Sequence, residues 1–186
     1  MGQPKAWLPF GQETLLARVV RRLGQVVEPV VVVAAPDQVL PELPAGVRVV
    51  RDRHRFQGPL AGLAAGLEAM ADLVDAAYVS SCDVPFLQPA FVQRMLRELG
   101  SACVAIPQAE DRLHPLAAVY RVQCLPFAQR LLAQGRLRPV FLCDLVPTRV
   151  VPQAVLAEAD PELLSLWNIN TPEDYARALQ LLAGQP

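Results

Sequence analysis

Apolar and polar positions along this chain alternate between two periods. Thr14 to Gly24 sets Leu15, Val19, Val20 and Leu23 on one face of a helix and Arg18, Arg21 and Arg22 on the other, with Gly24 as the stop. Pro29 to Ala35 is instead a continuous β-branched run, the pattern of a strand covered on both faces. Val47 to Arg51 and Ala76 to Cys82 predict two further strands. Between them Gly58 to Ala71 predicts a helix rich in Gly and Ala, with Pro59 suited to its first turn. Pro89 to Leu99 predicts a helix closed by Gly100, and Cys124 to Ala133 another. Ser101 to Pro107 and Leu116 to Arg121 read as strands, and Arg149 to Val151 and Leu166 to Ile169 as short ones; Val140 to Leu145 is ambiguous. Thr171-Pro172-Glu173-Asp174 opens the last helix, with a cap at Thr171, proline at the first helical position and Asp174 as reciprocal partner.

Strand and helix alternate through the first half. That order predicts an α/β fold of three layers, α/β/α, around a mostly parallel, doubly wound sheet. The length, 186 residues, suits one domain over 1–186, with no repeat or linker, and the 18 prolines punctuate element ends.

Composition narrows the picture. Hydrophobic residues make up 53% and charged residues 19%, with a mean hydropathy of +0.27, which excludes a disordered chain. A net charge of −1 supplies no overall field toward nucleic acid or an anionic membrane. Val30 to Ala35, the longest apolar run of note, falls far short of the ~20 residues of a membrane span. The opening residues form no signal peptide. Cys82, Cys103, Cys124 and Cys143 include no Cys-x-x-Cys pair and stand at no zinc spacing with His54 and His114, so they read as buried thiols of a cytoplasmic protein.

In a doubly wound sheet, ligands bind beyond the carboxyl ends of the strands. Asp52, Asp83, Asn168 and Asn170 all follow predicted strands, so either they gather at one rim or they cap the next elements. Asp83, fixed before Val84-Pro85, suits Mg²⁺, which takes one or two carboxylates plus phosphates and water. Lys5, the only lysine among arginine basic residues, is either a surface charge or a point charge for a phosphate chain. Gly58, Gly62 and Gly66 give a small-residue face, for close packing on the sheet or for a ligand. Arg51, Arg53, His54 and Arg55 form a solvated basic face or an anion landing site, and His114 is a loop residue or a site residue.

With these residues in place, the chain resembles the molybdenum cofactor guanylyltransferases, nucleotidyltransferases with a Rossmann-like core. Five segments carry the resemblance in order: Met1-Gly2-Gln3-Pro4-Lys5; Asp52 with Gly58-Pro59-Leu60-Ala61-Gly62; Cys82-Asp83-Val84-Pro85-Phe86; His114-Pro115-Leu116; and Asn168-Ile169-Asn170-Thr171-Pro172-Glu173-Asp174. The resemblance implies that Lys5 contacts the triphosphate and that Asp52, Gly58, Pro59 and Leu60 lie at the nucleoside. It implies that Asp83 holds Mg²⁺ and the phosphates, and that His114, Asn168 and Asn170 face the acceptor. The implied reaction transfers GMP from GTP to molybdopterin and releases pyrophosphate. The same superfamily includes cytidylyl and sugar-phosphate enzymes, and a non-catalytic binding protein is the reading from another class. The resemblance departs at two points. Met1 aligns inside the family's phosphate loop, so the expected central strand and the Leu-Ala-Gly-Gly-x-Ser-x-Arg stretch do not precede it here. Ala34 also stands where some members have asparagine. Without that strand, its neighbours are expected to show unpaired edges, and this chain to be poorly soluble or to bind nucleotide weakly.

Overall fold

The computed structural model describes residues 4–52 and 58–184. Met1 to Gln3, and Arg53, His54 and Arg55 of the basic cluster, lie outside the described residues. A short hairpin, β1 (Pro9–Phe10) and β2 (Glu13–Thr14), leads into helix α1 (Leu15–Leu23). The Thr14 side chain caps α1 by accepting from the Ala17 N–H at 3.3 Å. One expectation needs correction here: Arg18 does not share the solvated face. It is 8% exposed, donates through Nε to the Pro85 carbonyl at 2.8 Å and through Nη1 to Glu13 Oε1 at 3.1 Å, and lies over the Phe10 ring. Its long stem and planar head let it cover apolar surface while Nε and one terminal nitrogen are paired.

Strands β3 (Val31–Ala34) and β4 (Arg48–Arg51) pair in parallel, followed by α2 (Gly58–Met70) and β5 (Ala76–Tyr78). After α3 (Pro89–Glu98) come β6 (Val104–Ala109), β7 (Arg112–Leu113) and β8 (Val119–Arg121). The chain then forms α4 (Leu125–Ala133), a 3₁₀ segment over Pro139–Asp144, β9 (Thr148–Pro152), α5 (Gln153–Ala157) and α6 (Pro172–Ala183). The expected strand over Leu166 to Ile169 is not one: Leu163 takes a left-handed conformation, Leu164–Leu166 makes a 3₁₀ turn, and the Ile169 N–H bonds the Asp83 carbonyl at 2.9 Å instead of a sheet partner.

The α/β class holds, and the direction of pairing is mixed. β8 lies between β5 and β6, antiparallel to both, while β6 also pairs in parallel with β9 and makes a hairpin with β7. Since β5 and β6 both oppose β8, they point the same way, and their carboxyl ends share one rim. Alternation along these strands builds the layers. Val104, Ile106, Ala118 and Tyr120 pack with Leu60, Leu63 and Leu67 of α2 and with Ala128 and Leu131 of α4. Ala105, Val119 and Val151 face the opposite way, onto Phe91, Met95 and Leu156.

A third cluster clamps the chain's two ends to the rim. Phe86 meets Phe10 edge-on at 5.6 Å and stacks on Trp167 at 5.8 Å, and Leu8, Leu15, Ile169 and Ala178 close around them. Phe86 is fully buried, so Phe86→Ala is expected to cost about 3–5 kcal/mol, the range for emptying a buried aromatic site. Urea unfolding of the two proteins measures it.

Candidate active site

The residue after a strand end is positioned by the sheet, and Asp83 shows what that achieves. Tyr78 ends β5, Val79 still donates to the Ala118 carbonyl at 2.8 Å, and five residues past the strand the Asp83 carboxylate stands at the rim, 7% exposed. Lys5 reaches it from a 3₁₀ turn, Lys5–Trp7, held by the Trp7 N–H on the Pro4 carbonyl at 3.0 Å and by the Trp7 indole on the Val39 carbonyl at 2.9 Å. The Lys5 ammonium, the chain's only lysine, donates to Asp83 Oδ2 at 2.6 Å and to Asn170 Oδ1 at 2.8 Å. On the other oxygen, Asn168 Nδ2 donates to Asp83 Oδ1 at 2.7 Å and to Ser81 Oγ at 2.9 Å, using both hydrogens of its amide.

The loop bearing the two asparagines is fixed by the start of α6. Thr171 Oγ1 accepts from the Asp174 N–H at 3.0 Å, while the Asp174 carboxylate accepts from the N–H groups of Thr171 at 2.9 Å and Asn170 at 3.0 Å. Those bonds hold the Asp174 carboxyl below the usual carboxylate range. The capping box therefore does two jobs: it starts a helix and orients Asn170.

Burial drives the Asp83 carboxyl upward, and the hydrogen bonds from Lys5, Ser81 and Asn168, with the Lys5 charge, more than offset it; the net shift is downward. Asp83 is thus an ionised carboxylate in a largely dry place. His114 stands after β7 on the same side of the sheet as the carboxyl end of β6. Burial, aided by Arg112, holds its imidazole below the ordinary value, so it is neutral at pH 7.

Of the predicted residues, Lys5, Asp83, Asn168 and Asn170 form one bonded cluster. Asp52 follows β4 directly, its N–H on the Ala34 carbonyl at 2.8 Å. Gly58 begins α2 at φ +68°, where a Cβ would come within 3.1 Å of the Leu137 carbonyl, so glycine is required for this approach. Pro59 is exposed, whereas the Leu60 side chain is fully buried in the core and its N–H donates to the Leu137 carbonyl at 3.2 Å. Sequence reasoning missed Ser81, whose only signal is its place two residues before Asp83, and Arg18, whose helical spacing gave the opposite placement.

A single carboxylate with an amine and two carboxamides at a strand-end rim suits binding of a polyanion through a cation, not a closed protein cage. Among the described residues no group of three or more His, Cys, Asp and Glu side chains could hold a metal alone. Among known proteins, residues 1–148 match the model of the MobA-like NTP transferase domain. The chain belongs to that family. As a MobA-like protein it is a nucleotidyltransferase. It is 31% identical over 178 residues to the molybdenum cofactor guanylyltransferase of Desulfosudis oleivorans, an alignment covering 95% of this chain and 86% of that one. It is 37% identical over 188 residues to the probable molybdenum cofactor guanylyltransferase of Mycobacterium avium, covering 98% and 90%. Among solved structures, molybdopterin-guanine dinucleotide biosynthesis protein A from Archaeoglobus fulgidus superposes with a TM-score of 0.80 at 22% identity, over 98% of this chain and 92% of that one. The 2-C-methyl-D-erythritol 4-phosphate cytidylyltransferase from Thermus thermophilus superposes at 0.72 and 20%, over 98% and 95%. Both share the Rossmann-like nucleotidyltransferase fold with this MobA-like chain.

The charge balance at Asp83 gives two measurable outcomes. Its carboxyl is depressed in the folded protein, so it adds stability that is complete above the ordinary value near ~3.9 and disappears as pH falls through the folded value. In Lys5→Met, burial is opposed only by Ser81 and Asn168. The Asp83 pKa is then expected to rise, and acid unfolding to begin at higher pH. Carbon-detected NMR titration of the carboxyl and acid melts of both proteins check this; an unmoved Asp83 titration would contradict it.

Proposed function

We propose that this nucleotidyltransferase moves GMP from GTP to molybdopterin, with Mg²⁺ as cofactor. The observation that carries the reading is the cluster of Lys5, Asp83, Asn168 and Asn170 at one rim. The names of the relatives at 31% and 37% identity support the substrates. A terminal phosphate oxygen of the acceptor attacks the α-phosphorus of GTP, the bond from that phosphorus to the β-phosphate oxygen breaks, and pyrophosphate leaves with the electron pair. Such transfers depend on positioning and on neutralising charge more than on covalent help from the protein.

The donor set fits a hard divalent cation. Asp83 Oδ2 already faces a positive charge, the Lys5 ammonium, and would hold Mg²⁺ there, a cation that takes one or two carboxylates together with phosphates and water. When bound, Mg²⁺ supplies charge neutralisation on the phosphates. Lys5 is free to swing from Asp83 to the triphosphate, because its side chain is one-third exposed and needs only a change of anionic partner. Asn168 keeps Asp83 aimed while Lys5 moves, and Asn170 gives the ammonium a second, neutral acceptor. Asp52, Gly58 and Pro59, with the backbone of Leu60, form the nucleoside side of the site. His114, neutral, faces the acceptor as an uncharged hydrogen-bonding group that adds no repulsion or second ion pair near the phosphate.

Asp83→Asn keeps the shape of the side chain and removes its charge. Transfer, read as pyrophosphate release and formation of the guanine dinucleotide product, is expected to fall about 10²–10³-fold, the scale for losing one charge-stabilising group. The fold is expected to survive, as read by circular dichroism. An active Asp83→Asn protein would remove the metal role. Calorimetric titration with Mg²⁺ is expected to show tighter binding of GTP than CTP. Equal or tighter CTP binding would overturn the guanylyl assignment.

A further inference from the structure

Among the described residues the buried polar and charged side chains are Arg18, Asp83, Asp160 and Ser165. Burying such groups costs free energy unless each is hydrogen-bonded, so the direction of their bonds shows what the fold holds fixed. All four converge on the segment from Asp83 to Gln88. Asp83 opens it, and Arg18 donates to the Pro85 carbonyl at 2.8 Å. Ser165 Oγ accepts from the Gln88 N–H at 2.9 Å, and Asp160 Oδ2 accepts from the Ser165 N–H at 2.7 Å. Asp160 and Ser165 are 4% and 1% exposed, drier than Asp83 itself, and both precede Asn168 on the loop that reaches the rim.

The turn between Asp160 and Ser165 is one that its residues do not favour by themselves. Leu163 stands at φ +50° and ψ +33°, the left-handed region that bulky L side chains rarely enter, and Leu164–Leu166 then tightens into a 3₁₀ turn. Such a conformation persists where its surroundings over-determine it, and it concentrates at functional sites. Asp160 supplies two of the constraints: its carbonyl accepts from the Leu163 N–H at 2.9 Å, and its carboxyl accepts from Ser165. Asp160 is itself anchored at the end of α5, its N–H on the Leu156 carbonyl at 3.0 Å, and Leu163 and Leu166 pack with Leu156, Phe91 and Tyr78. Beyond the turn the two segments are fastened side by side. Gln88 meets Ser165, the Phe86 ring lies on Trp167 with the planes 2° apart, and the Ile169 N–H bonds the Asp83 carbonyl at 2.9 Å. Asn168 sits between the last two fastenings, with its amide on Asp83 Oδ1 and Ser81 Oγ. The terminal torsion of an asparagine is broad, so the aim of its amide depends on where its backbone is held.

We propose that Asp160 is a positioning residue for the transfer reaction: acting through Ser165, it holds Asn168 in place against Asp83, and it touches neither substrate nor reacting atoms. Its effect on rate presumes the role given above to the rim cluster, whereas its effect on Asn168 does not. Asp160→Ala removes the acceptor of the buried Ser165 N–H and releases the turn through Leu163. Ser165 then no longer meets Gln88 in register, and Asn168 moves off the Asp83 oxygen. A displacement of about 1 Å in a positioning group lowers a rate by up to about 10²-fold.

The test follows the side-chain amide of Asn168 by nitrogen-15 NMR of the full chain without substrate, and measures transfer separately. With both hydrogens bonded, that amide gives two resonances displaced from those of a free asparagine and slow to exchange with water. In Asp160→Ala the pair is expected to move to the free position and to exchange about tenfold faster or more. The kcat is expected to fall about 10–10²-fold while KM for the nucleotide changes less than about threefold. Asp160→Asn keeps a carbonyl oxygen for the Ser165 N–H and is expected to retain both the resonances and the rate. Leu131→Ala, which empties a core site on the opposite face of the sheet, reports plain destabilisation and is expected to leave both unchanged. If Asp160→Ala does not fold, Ser165→Ala decides: it removes only the acceptor of Gln88 and is expected to shift the same resonances. Unmoved Asn168 resonances in the folded variant, the same shift in Leu131→Ala, or an Asp160→Asn protein as altered as Asp160→Ala would overturn the proposal. Displaced resonances with an unchanged kcat would support the positioning and would overturn instead the role given to Asn168 in transfer.

Discussion

An ionised carboxylate held almost out of water is the constraint around which this molecule is arranged. Asp83 at 7% exposure would be strongly disfavoured as an anion without partners. Its partners come from the first described turn of the chain, from the residues just before it, and from the loop before α6. Each has its own anchor: Trp7 on Val39 for the turn of Lys5, the capping box for Asn170, and the Phe10–Phe86–Trp167 contacts for all three segments together. Loss of an anchor therefore acts on charge balance at the rim as well as on packing.

The sheet contributes direction. Because β8 opposes both β5 and β6, two strands that are not neighbours deliver their carboxyl ends to one rim. Asp83 follows one of them and the β6–β7 hairpin leading to His114 follows the other. A wholly parallel sheet would reach this arrangement with adjacent strands; here an antiparallel strand acts as a spacer between them.

Much of this was legible in the residues. Thr171-Pro172-Glu173-Asp174 named its own helix start, since capping is local chemistry written in four consecutive positions. The strands at Val31 and Val104 and the helices at Leu15, Gly58 and Pro89 followed from periodicity, with ends shifted by a few residues. The strand-end rule placed Asp83 at the rim, whereas Asn168 and Asn170 reach it from a 3₁₀ turn and the loop before α6 rather than from a strand. What was not legible depended on contacts between distant segments. Arg18 sits on the arginine face by spacing, yet Pro85 comes to it from a distant part of the fold, while Glu13 reaches it from the strand just before its helix. Leu166 to Ile169 has strand composition, but the Ile169 N–H is taken by Asp83. The antiparallel place of β8 is a matter of topology, which local composition does not encode.

The rim cluster joins groups up to 165 residues apart in the chain. During synthesis, Lys5 and Asp83 are both present long before Asn168, Asn170 and the capping box leave the ribosome. Domains fold as units once their long-range partners exist, and contacts of such high sequence separation form late. The central helices and strands can therefore collapse while Asp83 still lacks half of its partners. Competence at the rim is acquired only once the loop before α6 has been made, so a chain cut short of Asn168 carries the scaffold without an aligned carboxylate. The connectivity of one hydrogen-bonded cluster thus ties alignment of the carboxylate to synthesis of the loop before α6.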